Sequence, residues 1–236
     1  MTIRIKLSGG LGNQMFQFAT GFATAKKNNV RLSLDLSYIN QRQIFNGFEL
    51  ENVFDIYSKV SFLNKALSFK SINFKEILNK IDITFYNFKE PHFHYTSNIL
   101  DIPKHSFLDG YWQSELYFKN YSKEIKKIFN FSELDKQNNL IANDISKNNS
   151  ISIHIRRGDF LLKRNNNHNI DLKDYYLKAI GKSSKCFKNP KYFIFTDDPL
   201  WVTENFILDY SYIIVDVNYG TKSFFDMHLM SLCKSN

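Results

Sequence analysis

The first segment that could do chemistry is a glycine-rich turn near the start of the chain, Ser8-Gly-Gly-Leu-Gly-Asn-Gln14. Glycines let backbone N–H groups come close to an anion, and a helix that starts directly after them adds a partial positive charge. The side chains of Asn13 and Gln14 can hydrogen-bond to a sugar or a phosphate. The glycine spacing differs from both the G-x-G-x-x-G and the P-loop motifs, so a plain tight turn is the structural alternative.

The second segment, His154-Ile-Arg-Arg-Gly-Asp159, completes a run of apolar residues that is typical of a buried strand. Two adjacent arginines are costly to bury unless an anion meets them, and a guanidinium matches the geometry of a phosphate. In an extended chain His154 and Arg156 project to the same side and Arg157 to the other. We therefore expect Arg156 to share a site with His154. An ion pair between Arg157 and Asp159 is the structural alternative for the second arginine.

The third segment, Thr196-Asp-Asp-Pro-Leu-Trp201, also follows an apolar run. Paired carboxylates at a strand end can bind a metal ion, hold the edge of a nucleobase, or act as acid and base. Asp198 directly precedes Pro199, an arrangement typical of a helix N-cap followed by proline at the first helical position. This structural role accounts for Asp198 and leaves Asp197 to be explained.

The elements that must position these residues are strands alternating with helices, which indicates an α/β fold with parallel sheets. In such sheets ligands bind at the carboxyl ends of the strands. The apolar patterns predict strands over 3–7, 30–36, 107–112, 150–155, 192–195 and 212–215. They predict helices over 13–27, 114–128, 130–149, 172–180, 199–206 and 223–232. Residues 40–108 show no clear pattern.

Composition excludes several classes of protein. The 236 residues are 43% hydrophobic and 23% charged, which is ordinary for a folded globular chain and excludes wholesale disorder. Cys186 and Cys233 are too few for a disulfide framework, and no apolar run has the length of a signal peptide or a membrane span. We therefore expect a cytoplasmic protein. The formal net charge of +8 favours anionic partners.

Together with a fourth segment, residues 226–236, these motifs resemble the alpha-1,2-fucosyltransferases of glycosyltransferase family 11. The four segments occur in the family's order and span essentially the whole chain. The resemblance implies a GT-B-like fold with two Rossmann-type lobes, an acceptor-side lobe over 1–130 and a GDP-sugar-binding lobe over 131–236. It also implies that the C-terminal lobe is incomplete, because family members continue past the segment that ends here at Lys234-Ser-Asn236.

The activity that the resemblance implies is transfer of L-fucose from GDP-fucose to the 2-hydroxyl of a galactoside. The anomeric configuration inverts, and neither a metal ion nor another cofactor takes part. The acceptor would be a galactose-terminated oligosaccharide or a lipid-linked precursor of a bacterial surface glycan. A basic protein surface beside such lipids would favour peripheral association with the inner face of the membrane.

The resemblance also implies the roles of individual residues. Arg156 would contact the diphosphate and His154 would help to hold the guanine, with Asp197 and Asp198 beside the base. The N-terminal lobe would face the diphosphate and the fucose through Gly10, Gly12 and Asn13. Negative charge builds up on the departing GDP, so a cation such as Arg156 is needed there. Asp159 is the nearest candidate for the general base, which gives Arg156, Asp159 and Asn13 as the catalytic candidates.

Two other functions remain open at this level. The chain could be a GDP-sugar-binding pseudoenzyme that lacks transfer activity. It could also be a hydrolase or kinase that uses Asp197 and Asp198 with Mg²⁺, in which case a chelator would abolish turnover. A nucleic-acid-binding module is disfavoured, because the basic residues are scattered and no recognition motif is present.

Overall fold

The computed structural model describes residues 1–42, 46–59, 86–158, 172–206 and 208–236. The chain divides into two compact units, Met1–Ser132 and Glu133–Asn236. No helix in these described ranges is long and apolar enough to cross a membrane.

The first unit is built on a parallel sheet of four strands. These are β1 (Thr2–Lys6), β2 (Arg31–Asp35), β3 (Tyr86–Lys89) and β4 (His105–Asp109), in the spatial order β2-β1-β4-β3. Buried and partly exposed residues alternate along β1, which places Ile3 and Ile5 in the core. All the strands run in the same direction, so the loops that follow them gather at one edge of the sheet.

Helix α1 (Leu11–Lys27) covers this sheet through a broad apolar face. Gly21 allows close packing, because a β-carbon there would lie 2.8 Å from the Cγ2 atom of Ile5. The described residues of the unit also form the helices α2 (Ser37–Arg42), α3 (Leu50–Val53), α4 (Ile56–Lys59) and α5 (Ser122–Ile128). Short 3-10 turns occupy Ser97–Asp101, Glu115–Tyr117 and Lys119–Tyr121.

The second unit contains a parallel sheet in the order β5 (Asn149–Ile155), β6 (Pro190–Thr196) and β7 (Ser211–Val215). Its helices are α6 (Lys136–Lys147), α7 (Lys173–Ser183), α8 (Pro199–Asn205) and α9 (Phe224–Leu232). The central strand β6 is buried on both faces, with Tyr192 and Ile194 in one core cluster and Phe193 and Phe195 in the other. A bridge between Ile151 and Ser235 brings the last residues alongside β5.

The predicted alternation of strands and helices is confirmed, with shifts of a few residues at most ends. The prediction of a helix over 114–128 is wrong for its first half. Ser114 caps a 3-10 turn there, a second turn follows, and the α-helix begins only at Ser122. The helix predicted over 130–149 is shorter, because Asp135 caps it by accepting a hydrogen bond from the backbone N–H of Asn138.

Candidate functional site

The charged site residues of the second unit meet at the carboxyl edge of its sheet. Strands β5 and β6 are parallel neighbours, and Ile155 lies opposite Thr196 at their ends. The loop over 156–158 and the aspartates that follow β6 therefore lie side by side. In parallel α/β sheets this edge is where ligands bind.

The imidazole of His154 lies within electrostatic range of the Arg156 guanidinium and of the Asp197 carboxylate. Partial desolvation lowers the pKa of the imidazole below its usual value, and the positive charge of Arg156 lowers it further. The carboxylate of Asp197 acts in the opposite direction. The ring is therefore neutral at pH 7, with one nitrogen that donates a hydrogen bond and one that accepts.

Asp197 binds the backbone of the loop that follows β5. Its Oδ1 accepts a hydrogen bond of 2.8 Å from the N–H of Arg157, and its Oδ2 accepts one of 3.0 Å from the N–H of Gly158. A β-carbon on Gly158 would lie only 3.0 Å from Oδ2, so glycine permits this approach. Asp197, which the sequence left unexplained, thus bridges two consecutive amide groups.

The prediction that Asp198 caps a helix is confirmed. Its Oδ1 accepts a hydrogen bond of 3.1 Å from the N–H of Trp201, and Pro199 stands at the start of α8. Its Oδ2 accepts a hydrogen bond of 3.2 Å from Nε of Arg157. The guanidinium carbon of Arg157 lies 3.8 Å from the centre of the Trp201 ring, a cation–π contact.

Arg157 forms an ion pair, and the partner seen in the structure is Asp198. The alternative partner named from the sequence, Asp159, lies outside the described residues, as does its candidate role as general base. Arg156 is exposed at the same edge.

The glycine turn of the first unit leads directly into α1. Gly9 has a φ of +75°, and a β-carbon there would collide with the side-chain amide of Asn13. Gly10 is the N-cap residue, no side chain caps the helix, and its first turn contains no acidic residue. Gly12 therefore lies in a first turn whose N–H groups favour an anion or a polar ligand. The exposed Oδ1 of Asn13 accepts a hydrogen bond of 2.7 Å from Gln113.

The expectation that Gln14 binds a ligand is wrong. Its side chain is completely buried, donates to the carbonyls of Gly9 and Gly47, and accepts from the N–H of Glu49. Gln17 is also fully buried and joins Ser8 to the carbonyl of Gly110. Both glutamines hold together the loops at the carboxyl edge of the first sheet, because a buried amide needs internal partners for its donors and acceptor.

Sequence reasoning missed an exposed aromatic pair at this same edge. Phe93 is 71% exposed and Tyr111 is 37% exposed, and their ring centres are 6.2 Å apart. Glu90 accepts hydrogen bonds of 2.6 Å from the N–H of Tyr111 and 3.0 Å from the N–H of Trp112. The apolar pattern predicts a strand over 107–112 and so assigns residues 110–112 to the strand; the observed strand ends at Asp109, and Gly110-Tyr-Trp-Gln113 begins the loop at this edge.

Parallel sheets with a glycine turn at one carboxyl edge and an arginine–carboxylate cluster at another are typical of α/β proteins that bind anionic ligands. The chain belongs to glycosyltransferase family 11, because the family model described as Glycosyl transferase family 11 matches residues 1–236. The family-level resemblance found from the sequence motifs is thereby confirmed. The coarser functional prediction, a glycosyltransferase, is confirmed with it.

Two curated relatives, both from Escherichia coli, agree with this assignment. The chain is 30% identical over 239 residues to an alpha-1,2-colitosyltransferase, covering 97% of this chain and 80% of that protein. It is 28% identical over 256 residues to the O-antigen biosynthesis glycosyltransferase WbnK, covering 98% of this chain and 84% of that one.

The fold is similar to that of NodZ, an alpha-1,6-fucosyltransferase whose crystal was soaked with GDP-fucose. That structure matches with a TM-score of 0.54 and 15% identity, covering 98% of this chain and 85% of NodZ. A second NodZ structure, from Bradyrhizobium, also has a TM-score of 0.54, at 14% identity. The predicted GT-B-like α/β fold with parallel sheets is thereby confirmed.

Proposed function

We propose that this glycosyltransferase transfers L-fucose from GDP-fucose to the 2-hydroxyl of a galactoside, with inversion and without a metal ion. The observation that carries this proposal is the charged edge of the second sheet. There Arg156 lies in electrostatic range of His154, beside two aspartates that fix the loop that carries it. The acceptor is a galactose-terminated oligosaccharide or lipid-linked glycan.

The donor diphosphate is assigned to Arg156. Arg157 is engaged by Asp198 and by the face of Trp201, so its guanidinium is held against α8. Arg156 projects from the adjoining position and is exposed. Cleavage of the fucose–phosphate bond leaves an additional negative charge on GDP, which a guanidinium stabilises by charge-assisted hydrogen bonds.

The guanine is assigned to His154, with Asp197 and Asp198 at the same edge. A neutral imidazole offers one donor and one acceptor, which suits the mixed hydrogen-bonding edge of a purine. The lowered pKa of His154 keeps the ring in this form at neutral pH. It also avoids adding a second full charge next to Arg156.

The sugar and acceptor parts of the reaction are assigned to the first unit. Gly10 and Gly12, at the uncapped start of α1, and Asn13 are proposed to contact the sugar of the donor. The exposed rings of Phe93 and Tyr111 suit the apolar face of an uncharged pyranose. The general base that removes the proton of the acceptor hydroxyl is assigned to Asp159 from its place in the sequence.

A colitosyl donor is the second candidate, because one curated relative is an alpha-1,2-colitosyltransferase. The two possibilities share the alpha-1,2 linkage and differ in the sugar. A hydrogen bond to a sugar hydroxyl that one donor lacks would set the preference between them.

The experiment that tests the proposal incubates the purified chain with GDP-fucose or with the colitosyl donor, each with a beta-galactoside. Mass spectrometry detects the product, and NMR identifies the linkage. We expect transfer to the 2-hydroxyl, unchanged by EDTA. Binding of GDP in a calorimeter without transfer would instead support the pseudoenzyme, and turnover lost in EDTA would support a magnesium-dependent hydrolase or kinase.

A further inference from the structure

We infer that Asp197 is a positioning residue, which holds Arg156 in place by bridging the two amide groups that follow it. This inference rests on the proposed donor site and adds a role that the contacts of Asp197 supply. The residue does not need to touch the nucleotide for this role. It acts on the backbone from which Arg156 projects.

The first step of the argument is the geometry of the carboxylate. Both of its oxygens accept from consecutive backbone N–H groups, those of Arg157 and Gly158, at 2.8 and 3.0 Å. Bonds from N–H groups to an ionised carboxylate are stronger than those between neutral groups. The two N–H groups belong to consecutive peptide units, the first of which joins Arg156 to Arg157, so the two bonds fix the backbone that directly follows Arg156.

The second step is the other attachment of the same loop. The side chain of Arg157 is held by the Asp198 carboxylate and stacks on Trp201. Residue 157 is therefore held at its amide group by Asp197 and at its side chain by the start of α8. Arg156 directly precedes it, so the direction in which Arg156 projects depends on both attachments. A side chain that meets a developing charge gains most when it is oriented beforehand.

The third step is a parallel arrangement in the first unit. Glu90 follows β3 and bridges the N–H groups of Tyr111 and Trp112 after the neighbouring strand β4. A glycine stands beside this bridge as well, because a β-carbon on Gly110 would collide with Glu90. In both units a carboxylate thus bridges two amides at a carboxyl edge, next to an exposed side chain.

The first test uses the nucleotide-free chain and measures amide hydrogen exchange at Arg157 and Gly158. In Asp197→Asn one carboxylate oxygen becomes an NH₂ group that cannot accept, so we expect exchange about 10-fold faster at these two amides. Asp216→Asn is the matched control, because Asp216 is exposed and directly follows β7. Unchanged exchange in Asp197→Asn would overturn the bridge. This result does not depend on whether the protein binds GDP.

The second test separates positioning from contact with the base. We expect Asp197→Asn to weaken binding of GDP and of inosine diphosphate, which lacks the 2-amino group, by the same factor of about 10. A loss confined to GDP would show that Asp197 reads the base and would overturn the inference. Absence of GDP binding by the unaltered chain would refute the proposed function and leave the exchange result standing.

A second variant tests the inference if Asp197→Asn does not fold. Gly158→Ala keeps the carboxylate and pushes the loop away from it, since the new β-carbon would lie 3.0 Å from Oδ2. We expect the same equal loss for both nucleotides, by a smaller factor of about 3. Unchanged affinity for both nucleotides in this variant would contradict the positioning role.

Discussion

The carboxyl edges of the two sheets use one device for two different purposes. In the second unit Asp197 bridges the amides of Arg157 and Gly158, and in the first unit Glu90 bridges those of Tyr111 and Trp112. The surroundings differ. The edge of the second sheet exposes an arginine beside its bridge, whereas the edge of the first exposes aromatic rings beside the hydrogen-bonded side chains of Asn13 and Gln113 and is held together by buried glutamines.

We infer from this difference that the backbone frame and the ligand preference of such an edge are set by different residues. A carboxylate bridge orients a loop whatever side chain the loop carries. An exposed arginine at that position attracts a diphosphate electrostatically, and salt weakens this attraction. Aromatic rings and amides suit an uncharged sugar, and salt does not weaken their contacts in this way. The predictions that follow separate the two edges.

The largest effect is expected from Arg156→Ala at the charged edge. A hydrogen bond to a charged group contributes about 1.5–3 kcal/mol, so losing the guanidinium should weaken GDP binding and transfer about 10- to 150-fold. Calorimetry with GDP and the transfer assay measure this, and the melting temperature should be unchanged because the side chain is exposed. Arg31→Ala, an exposed arginine of the first unit, is the control. Near-normal transfer by Arg156→Ala would refute the site.

The next effect concerns the bridge of the first unit. Glu90→Gln replaces one accepting oxygen by an NH₂ group, so Tyr111 loses its fixed position and the KM for the acceptor should rise about 10-fold. The affinity for GDP should stay unchanged. Glu51→Gln, at an exposed position of α3, is the control. A parallel loss of GDP affinity would show that the two edges are not functionally separate.

A smaller effect is expected from Phe93→Ala. Loss of one exposed ring from an aromatic surface corresponds to about 1 kcal/mol, or about a 5-fold rise in the acceptor KM. Tyr86→Ala is the matched control, because Tyr86 is 61% exposed but lies at the amino end of β3, away from the ligand edge. Steady-state kinetics at saturating donor measures both variants. Equal effects in the two would argue against an acceptor surface at Phe93.

The smallest effect is expected from the ionisation of Asp226, a partly buried carboxyl group of the second unit. Burial raises the pKa of Asp226 from 3.8 to about 6, partly offset by a hydrogen bond from Asn218. The folded state therefore binds a proton more tightly than the unfolded state, and stability falls as pH rises from about 4 to above 6.

Asp226→Asn removes this ionisation and keeps an oxygen that accepts from Asn218. Because the side chain is only partly buried, we expect the variant to be more stable than the unaltered chain by about 0.5–1 kcal/mol at pH 8, with no difference at pH 4. Urea unfolding at the two pH values measures this. The same difference at both values would contradict the assignment of the effect to ionisation.

The fold followed closely from the sequence because its signals are local. The apolar run over 192–195 predicts a strand, and the Asp198-Pro199 pair predicts the start of α8; both are seen. The prediction of a helix over 114–128 is wrong at its start, because the side chain of Ser114 caps a 3-10 turn there. The burial of Gln14 could not be predicted from local sequence, because its partners Gly47 and Glu49 are distant in the chain.

The sequence by itself determined the family, the alternation of strands and helices, and which short segments lie at strand ends, because residue type and spacing encode these directly. Only the tertiary structure decided which arginine pairs with Asp198, what Asp197 holds, and which aromatic rings are exposed at the carboxyl edge of the first sheet. Those facts depend on the pairing of parallel strands that are about 40 residues apart in the chain, as in the register of Ile155 with Thr196. The sequence spacing of these residues does not reveal that the two strand ends lie side by side.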